Sequence, residues 1–465
     1  MSKKILFNAF IMDCASHQTP GLWAHPRNQS WRYKEIDYWI ELAKIAESGY
    51  FAAIFIADVI GYYDVYGGDA KTAVKNAVQI PINDPLQIAA AAAAATKHIG
   101  FGVTASTAFE HPYVFARRIA TADHYTKGRV GWNIVTSYLE SGAKNVGDNG
   151  LNRHDDRYEV ANEYLEVIYK LLEGSWEDGA IVHDREKRVF ADPNKVHEIG
   201  HKGKYFEVPG IALTEPSPQR TPVLFQAGAS EAGKKFAARH VECVFVANPS
   251  ATIVRNYASD VRALANKAGR DAGALKVFSL ATIIVDETDE EARAKYEEYK
   301  QYISYEGALA LVSGWIGIDL SGYQPDEILK RDESNAIVSI LNDLTTDGEK
   351  EWTPRKLAEW IGISGLGALF IGSPVTVADA IEAWVEKTGV DGLNIGSVIS
   401  HETFADVVKY LVPELQKRGV YPTSYADGTL REKIFGRKYL PDNHPAAQYR
   451  DIEKAKKAAR SDRHG

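Results

Sequence analysis

Apolar residues recur in short runs that are hydrophobic on both faces, at residues 5–10, 52–57, 99–104, 130–135, 223–226, 243–247, 278–285 and 392–395. Runs of this length without polar alternation suit strands of a parallel sheet covered on both sides. Helical periodicity fills the intervals. Ile36, Trp39, Ile40, Ala43 and Ala46 form one apolar stripe over residues 34–48, and Gly49 stops it. Further helices are predicted over 85–97, 111–125, 155–172, 231–240 and 252–268. Another opens at Ser373-Pro374 in cap-then-proline style and closes at Gly389. Strand and helix alternating about eight times predict an α/β fold, a (β/α)8 TIM barrel. A doubly wound open sheet is the competing architecture, but no Gly-rich dinucleotide turn follows an early strand.

Two intervals are much longer than the rest, residues 174–222 and 296–371. Long excursions on a barrel act as lids or substrate walls more often than as linkers. The expected organisation is a single barrel domain over 1–450 with two insertions near its C-terminal face. A basic tail follows over 451–465, carrying Lys454, Lys456, Lys457, Arg460 and Arg463.

Charge narrows the partners. Lys and Arg total 54 against 62 Asp and Glu, a net charge of −8, and no basic stripe interrupts the pattern. That balance argues against nucleic acid and anionic membranes as partners. No run of eighteen apolar residues is present. The apolar start of the chain is interrupted by Asn8 and stopped by Asp13, so it reads as a buried first strand rather than a signal peptide. The two cysteines, Cys14 and Cys243, cannot build a disulfide framework, which suits a reducing cytoplasm.

Two strings imitate other chemistries. His197-Glu-Ile-Gly-His201 spells a zinc-protease motif, but Pro193, Gly200 and Gly203 oppose the helix that would put both imidazoles on one face. No metal site is expected. Gly228-Ala-Ser-Glu-Ala-Gly-Lys-Lys235 resembles a phosphate-binding loop, with Lys235 where a magnesium-holding hydroxyl belongs. Ser230 still reads as a helix cap after a strand, where amides and the helix dipole favour a phosphate; a plain cap explains it equally well.

In a barrel the site lies at the C-terminal ends of the strands. Those ends carry Cys14 and His17; Asp58, Tyr62 and Tyr63; Ser106, Glu110 and His111; Asn133, Thr136, Ser137 and Tyr138; Ala229 and Ser230; and His401. The helix after the fourth strand begins near His154 and Tyr158. No nucleophile with an evident base and no metal spacing stands out, while Asp58 with Glu110 stays open as a carboxylate pair. Hydroxyls, an amide and aromatics remain, a set that suits a planar phosphorylated cofactor performing the chemistry itself.

The segments Gly21-Leu-Trp-Ala-His-Pro26, Phe55-Ile-Ala-Asp-Val59 and Glu110-His-Pro-Tyr113 are part of a wider pattern. Lys127-Gly-Arg-Val-Gly-Trp-Asn-Ile-Val-Thr-Ser137, His154-Asp-Asp-Arg-Tyr158, Gln226-Ala-Gly-Ala-Ser230 and His444-Pro-Ala-Ala-Gln-Tyr-Arg450 extend it over nearly the whole chain. Together they resemble the bacterial-luciferase-like FMN-dependent monooxygenases, in the branch of the nitrilotriacetate, dibenzothiophene-sulfone, dimethyl-sulfide and long-chain-alkane enzymes. The resemblance implies a two-component enzyme using FMN, reduced by a separate flavin reductase, and O2, acting through a flavin peroxide on a small organic substrate. It implies a cytoplasmic homodimer or homotetramer. It places Ser137, His154, Tyr158, Ala229 and Ser230 around the FMN phosphate and ribityl chain, and Asp58, Ser106 and Asn133 near the flavin ring. His17, Cys14 and Tyr63 match the catalytic, substrate side, with His17 a candidate to donate or accept a proton. Tyr138 and Leu311 stand where the alkane enzymes carry histidines, and His401 where relatives have a small turn. These departures, with Trp315 and nearby tyrosines, turn the expected substrate toward an aromatic, heterocyclic or sulfur compound. Other readings of the same residues are an oxidative lyase on a flavin-type heterocycle, a deazaflavin-dependent hydride-transfer oxidoreductase, and a flavin-binding protein without catalysis.

Overall fold

The computed structural model describes residues 4–147, 154–329 and 352–450, the side chains of 154, 155 and 272 excepted. The strands are β1 (Leu6–Met12), β2 (Ala53–Ala57), β3 (Gly100–Ser106), β4 (Val130–Val135), β5 (Val223–Gln226), β6 (Cys243–Val246), β7 (Lys276–Val285), β8 (Ala368–Gly372) and β9 (Gly392–Gly396). β1 through β7 pair in parallel with their chain neighbours, β7 continues to β9, and β9 returns to β1. Eight parallel strands thus close a barrel, as the alternation predicts.

β8 lies outside that ring and inside the second insertion, where the sequence pattern had suggested no strand. Its cause is the length of β7. The first residues of β7 pair with β6, Phe278–Thr282 pair with β9 in the ring, and Ala281–Val285 pair with β8, Ile283–Val285 running past the end of the β9 ladder. An apolar edge left without a partner would expose backbone donors and acceptors, and β8 satisfies them.

Helices cover the ring where the periodicity places them: α1 (Ile36–Ser48), α2 (Pro85–Ala94), α3 (Pro112–Tyr125), α4 (His154–Tyr169), α5 (Glu231–His240) and α6 (Ala251–Lys267). Their starts follow capping chemistry. Asp84 accepts from the Leu86 amide before Pro85, and Ser230 accepts from the Gly233 amide. The second insertion adds α7 (Asp289–Lys300), α8 (Tyr305–Ile316) and α9 (Pro354–Ser364) before α10 (Pro374–Thr388). The first insertion carries two small hairpins, 181–191 and 201–208. The stretch 204–206 is a turn between short strands, because the Glu163 carboxylate accepts from the amides of Lys204, Tyr205 and Phe206.

Inside the barrel Phe10, Phe55, Phe225, Phe245 and Phe278 form an aromatic core, closed from below by Leu430. The Phe10 ring lies 5.6 Å from Phe55 and 5.0 Å from Phe245. His17 rests on this stack, 4.5 Å from Phe10 at 70°. The barrel is therefore a filled core with a floor for a site, not a pore.

Candidate active site

At the ends of β3 and β4 the Ser106 and Ser137 hydroxyls meet at 2.8 Å. Ser137 adopts a left-handed backbone, φ 61°, which turns its carbonyl outward to accept from Arg157 Nη1. Arg157 sits in the first turn of α4, so this bond ties the strand end to the helix start. His154 opens the same helix, and its side chain lies outside the described residues. Asp58, Thr104, Ser106, Ser137 and Tyr138 line a common cavity.

Across the mouth, Ser230 caps α5 with Ala229 just before it. The Tyr158 hydroxyl is hydrogen-bonded within this group to Ser230 and Gln226, and burial raises its pKa. Gly228 and Gly233 make that approach sterically possible. A Cβ at Gly228 would stand 2.1 Å from Gln226 Nε2, and one at Gly233 would stand 2.8 Å from the Tyr158 oxygen. Among the described residues, the buried acceptors Asn133 Oδ1 in β4 and Gln226 Oε1 at the end of β5 make no hydrogen bond. The Asn133 amide otherwise donates to Thr104 Oγ1 at 2.9 Å. Hydroxyls, helix-start amides, a guanidinium and unsatisfied acceptors fit a polar, phosphorylated, ring-bearing cofactor.

The third group faces these from the β1 and β2 loops. Gln79 Nε2 donates to the His17 carbonyl at 2.7 Å, and the Tyr63 hydroxyl donates to Gln79 Oε1 at 2.9 Å. Tyr63 in turn meets the Tyr138 hydroxyl, and Trp315 of α8 hydrogen-bonds in the same cluster. α8 packs so tightly here that a Cβ on Gly314 would lie 2.0 Å from the Tyr63 ring. The second insertion therefore forms one wall of the mouth. Nothing in the sequence singles out Gln79 beyond its place two residues before Pro81, and its left-handed φ of 51° appears in the fold alone.

Electrostatics separates the candidates. Burial pulls the His17 pKa down to about 3, only partly offset by its hydrogen bond to the Phe10 carbonyl, so this imidazole is neutral at ordinary pH. Cys14 is buried, its thiol donates to the Ser16 carbonyl, and burial raises its pKa, which opposes a thiolate. Asp58 is pushed up to about 7, by burial first and by Asp84 second. The zinc-protease string is not helical: His197 pairs with Glu177 at 2.7 Å and His201 with Glu163 at 3.3 Å, on different elements.

Residues 14–392 match the luciferase-like monooxygenase family. The chain belongs to that family. It is 49% identical to dimethyl-sulfide monooxygenase of Hyphomicrobium sulfonivorans, over 97% of this chain and 95% of that protein. It is 48% identical to long-chain alkane monooxygenase of Geobacillus thermodenitrificans, over 97% and 99%. The solved structure of a riboflavin lyase with modified FMN and riboflavin superposes with a TM-score of 0.87 at 35% identity, over 96% of this chain and 100% of that one. This luciferase-like protein is a flavin-dependent monooxygenase using reduced flavin and O2. No helix among its described residues is long and apolar enough to cross a membrane.

Proposed function

We propose that this monooxygenase is the oxygenase of a two-component pair, taking reduced FMN from a separate flavin reductase and oxygenating a small sulfur or aromatic-heterocyclic compound. The observation that carries the FMN assignment is the ledge of Ser137, Tyr158, Ala229 and Ser230, where a phosphate would meet helix-start amides and hydroxyls. Asp58, Ser106 and Asn133 would bound the ring. Bound reduced flavin supplies two electrons, so that one oxygen atom of O2 joins the substrate and the other leaves as water.

The protein's own part is placement and exclusion. α8 and Trp315 wall the mouth against water, and the Tyr63–Gln79–His17 chain fixes the loops opposite the ledge. Neutral His17 gives its one N–H to the Phe10 carbonyl and has its other ring nitrogen free to accept from substrate, so it is no imidazolium acid near pH 7. The kinship with dimethyl-sulfide monooxygenase supports a sulfur compound. A cytoplasmic homodimer or homotetramer is part of this reading.

The test is oxygen uptake with photoreduced FMN and a panel of thioethers, sulfones and heterocycles, with 18O2 and mass spectrometry. Coupled uptake with one labelled oxygen in the product is expected. Hydrogen peroxide as the sole product across the panel defeats the reading. A second reading, cleavage of a flavin-type heterocycle, is favoured by the similarity to riboflavin lyase; fragmented flavin in the same spectra identifies it.

A further inference from the structure

A cavity of about 600 Å³ opens on the flank of the barrel mouth, between the ends of β2 and β3 and the first turns of α2 and α3. It shares Asp58, Ile60, Thr104 and Ser106 with the smaller cavity over Ser137 and Tyr138. Anything held in it therefore borders the cofactor ledge. Its volume matches sites for small organic molecules.

The wall has two characters. Ile60, Ile82, Leu86, Phe109 and Phe115 make it largely apolar. Its charges are Asp58, Asp84, Glu110 and Arg118. Arg118, the one cation among the described residues of the wall, is engaged at both ends, Nη1 to Glu110 at 2.7 Å and Nη2 to Asp84 at 2.8 Å. Two carboxylates thus neutralise it with one negative charge left over, before Asp58 is counted. An anion entering would lose hydration and meet carboxylates with no free positive partner. A neutral apolar molecule meets neither penalty, and a cation sets its lost hydration against the surplus carboxylate.

We propose that this flank cavity is the entry site where the organic substrate is first held on its way through the smaller cavity toward Tyr138 and the His17 side, and that its Asp84–Arg118–Glu110 clamp sorts substrates by charge. It admits neutral or cationic apolar compounds such as thioethers and refuses polycarboxylates. The inference rests on the oxygenase reading above and narrows its substrate class.

The experiment uses the full chain, with dibutyl sulfide as the neutral probe and nitrilotriacetate as the anionic one. Binding to flavin-free protein is read by calorimetry, and turnover by oxygen uptake with photoreduced FMN. Wild type is expected to bind the sulfide at least about tenfold more tightly than the tricarboxylate. Leu86→Trp fills the cavity from α2 and is expected to weaken sulfide binding and raise its KM about tenfold or more, with FMN affinity unchanged. The near-isosteric double variant Asp84→Asn/Glu110→Gln frees the guanidinium and is expected to gain nitrilotriacetate binding. Equal wild-type affinity for the two probes overturns the proposal, as does sulfide binding in Leu86→Trp within about twofold of wild type. Should the binding pattern hold while no probe is oxygenated, the oxygenase reading fails and the charge-sorting site stands.

Discussion

The Tyr63 and Tyr138 hydroxyl oxygens stand 2.5 Å apart, and the direction of the proton between them is fixed two residues away. The His17 carbonyl can only accept, so the Gln79 amide must present Nε2 to it and Oε1 to Tyr63. Tyr63 spends its one proton on Oε1, and Tyr138 must then donate to Tyr63. Trp315 can only donate into this pair, so what Tyr138 keeps for the cavity it lines is its remaining acceptor capacity, not its hydrogen.

This directionality predicts unequal effects of two similar substitutions. Tyr63→Phe leaves Gln79 Oε1 buried without a donor and is expected to cost about 1–3 kcal/mol. Tyr138→Phe leaves the Tyr63–Gln79 bond intact and is expected to cost about 0.5–1.5 kcal/mol. Urea denaturation of the two variants ranks them, and the reverse order would refute the proton assignment.

The FMN ledge proposed above makes its own prediction. Gly228→Ala places a methyl where Gln226 Nε2 and the Tyr158 hydroxyl now approach. The side chains must withdraw from Ser230, so FMN affinity is expected to fall at least about tenfold. Ser230→Ala removes the α5 cap and is expected to cost about 1 kcal/mol of stability besides weakening FMN. Titration of FMN fluorescence checks both, and unchanged affinity in Gly228→Ala would displace the phosphate from this ledge.

The barrel was legible because its signal is local. Both-face apolar runs at β1 through β7, the Ser373-Pro374 start and the Gly389 stop each declare themselves within a few residues. The Ser230 cap was legible for the same reason. Gln79 and β8 were not, because each is defined by a distant partner: Gln79 by the backbone of His17 and by Tyr63, and β8 by the overrun of β7. The neutrality of His17 was equally hidden, since it comes from burial on an aromatic core assembled from several strands.

Burial of carboxylates sets the pH response. Asp13 and Asp58 are each pushed up to about 7, mainly by burial. A carboxyl raised above its unfolded value favours the fold most below about pH 4, and that contribution is lost as pH rises through 7. Asp13, buried with Oδ1 unpartnered, shows this most directly. Asp13→Asn is expected to melt higher than wild type at pH 8, with the gap narrowing steadily toward pH 5. Asp58→Asn is expected to remove a limb near pH 7 from the pH–rate profile, whereas His17 contributes none between pH 5 and 8. A constant melting gap across that range would contradict the burial argument.

The floor of the site depends on a charge pair far from it. Glu242 at the start of β6 and Arg431 are both fully buried, joined Nε to Oε1 and Nη2 to Oε2 at 2.9 Å each. The pair anchors Leu430 beneath the aromatic core on which His17 rests. Arg431→Met leaves Glu242 buried with, among the described residues, only Arg437 at 3.8 Å and the Leu224 amide as partners, so it is expected to cost toward the lower end of about 3–5 kcal/mol. Replacing both, Arg431→Met with Glu242→Leu, removes the stranded charge and is expected to recover most of that loss. Chemical denaturation of the single and double variants measures the difference. If the double variant recovers stability yet binds FMN normally with a raised substrate KM, the pair's worth lies in holding the floor level under the substrate side. Additive losses would instead mean that the clamp stabilises through its separate bonds to the Gln219 and Thr221 carbonyls.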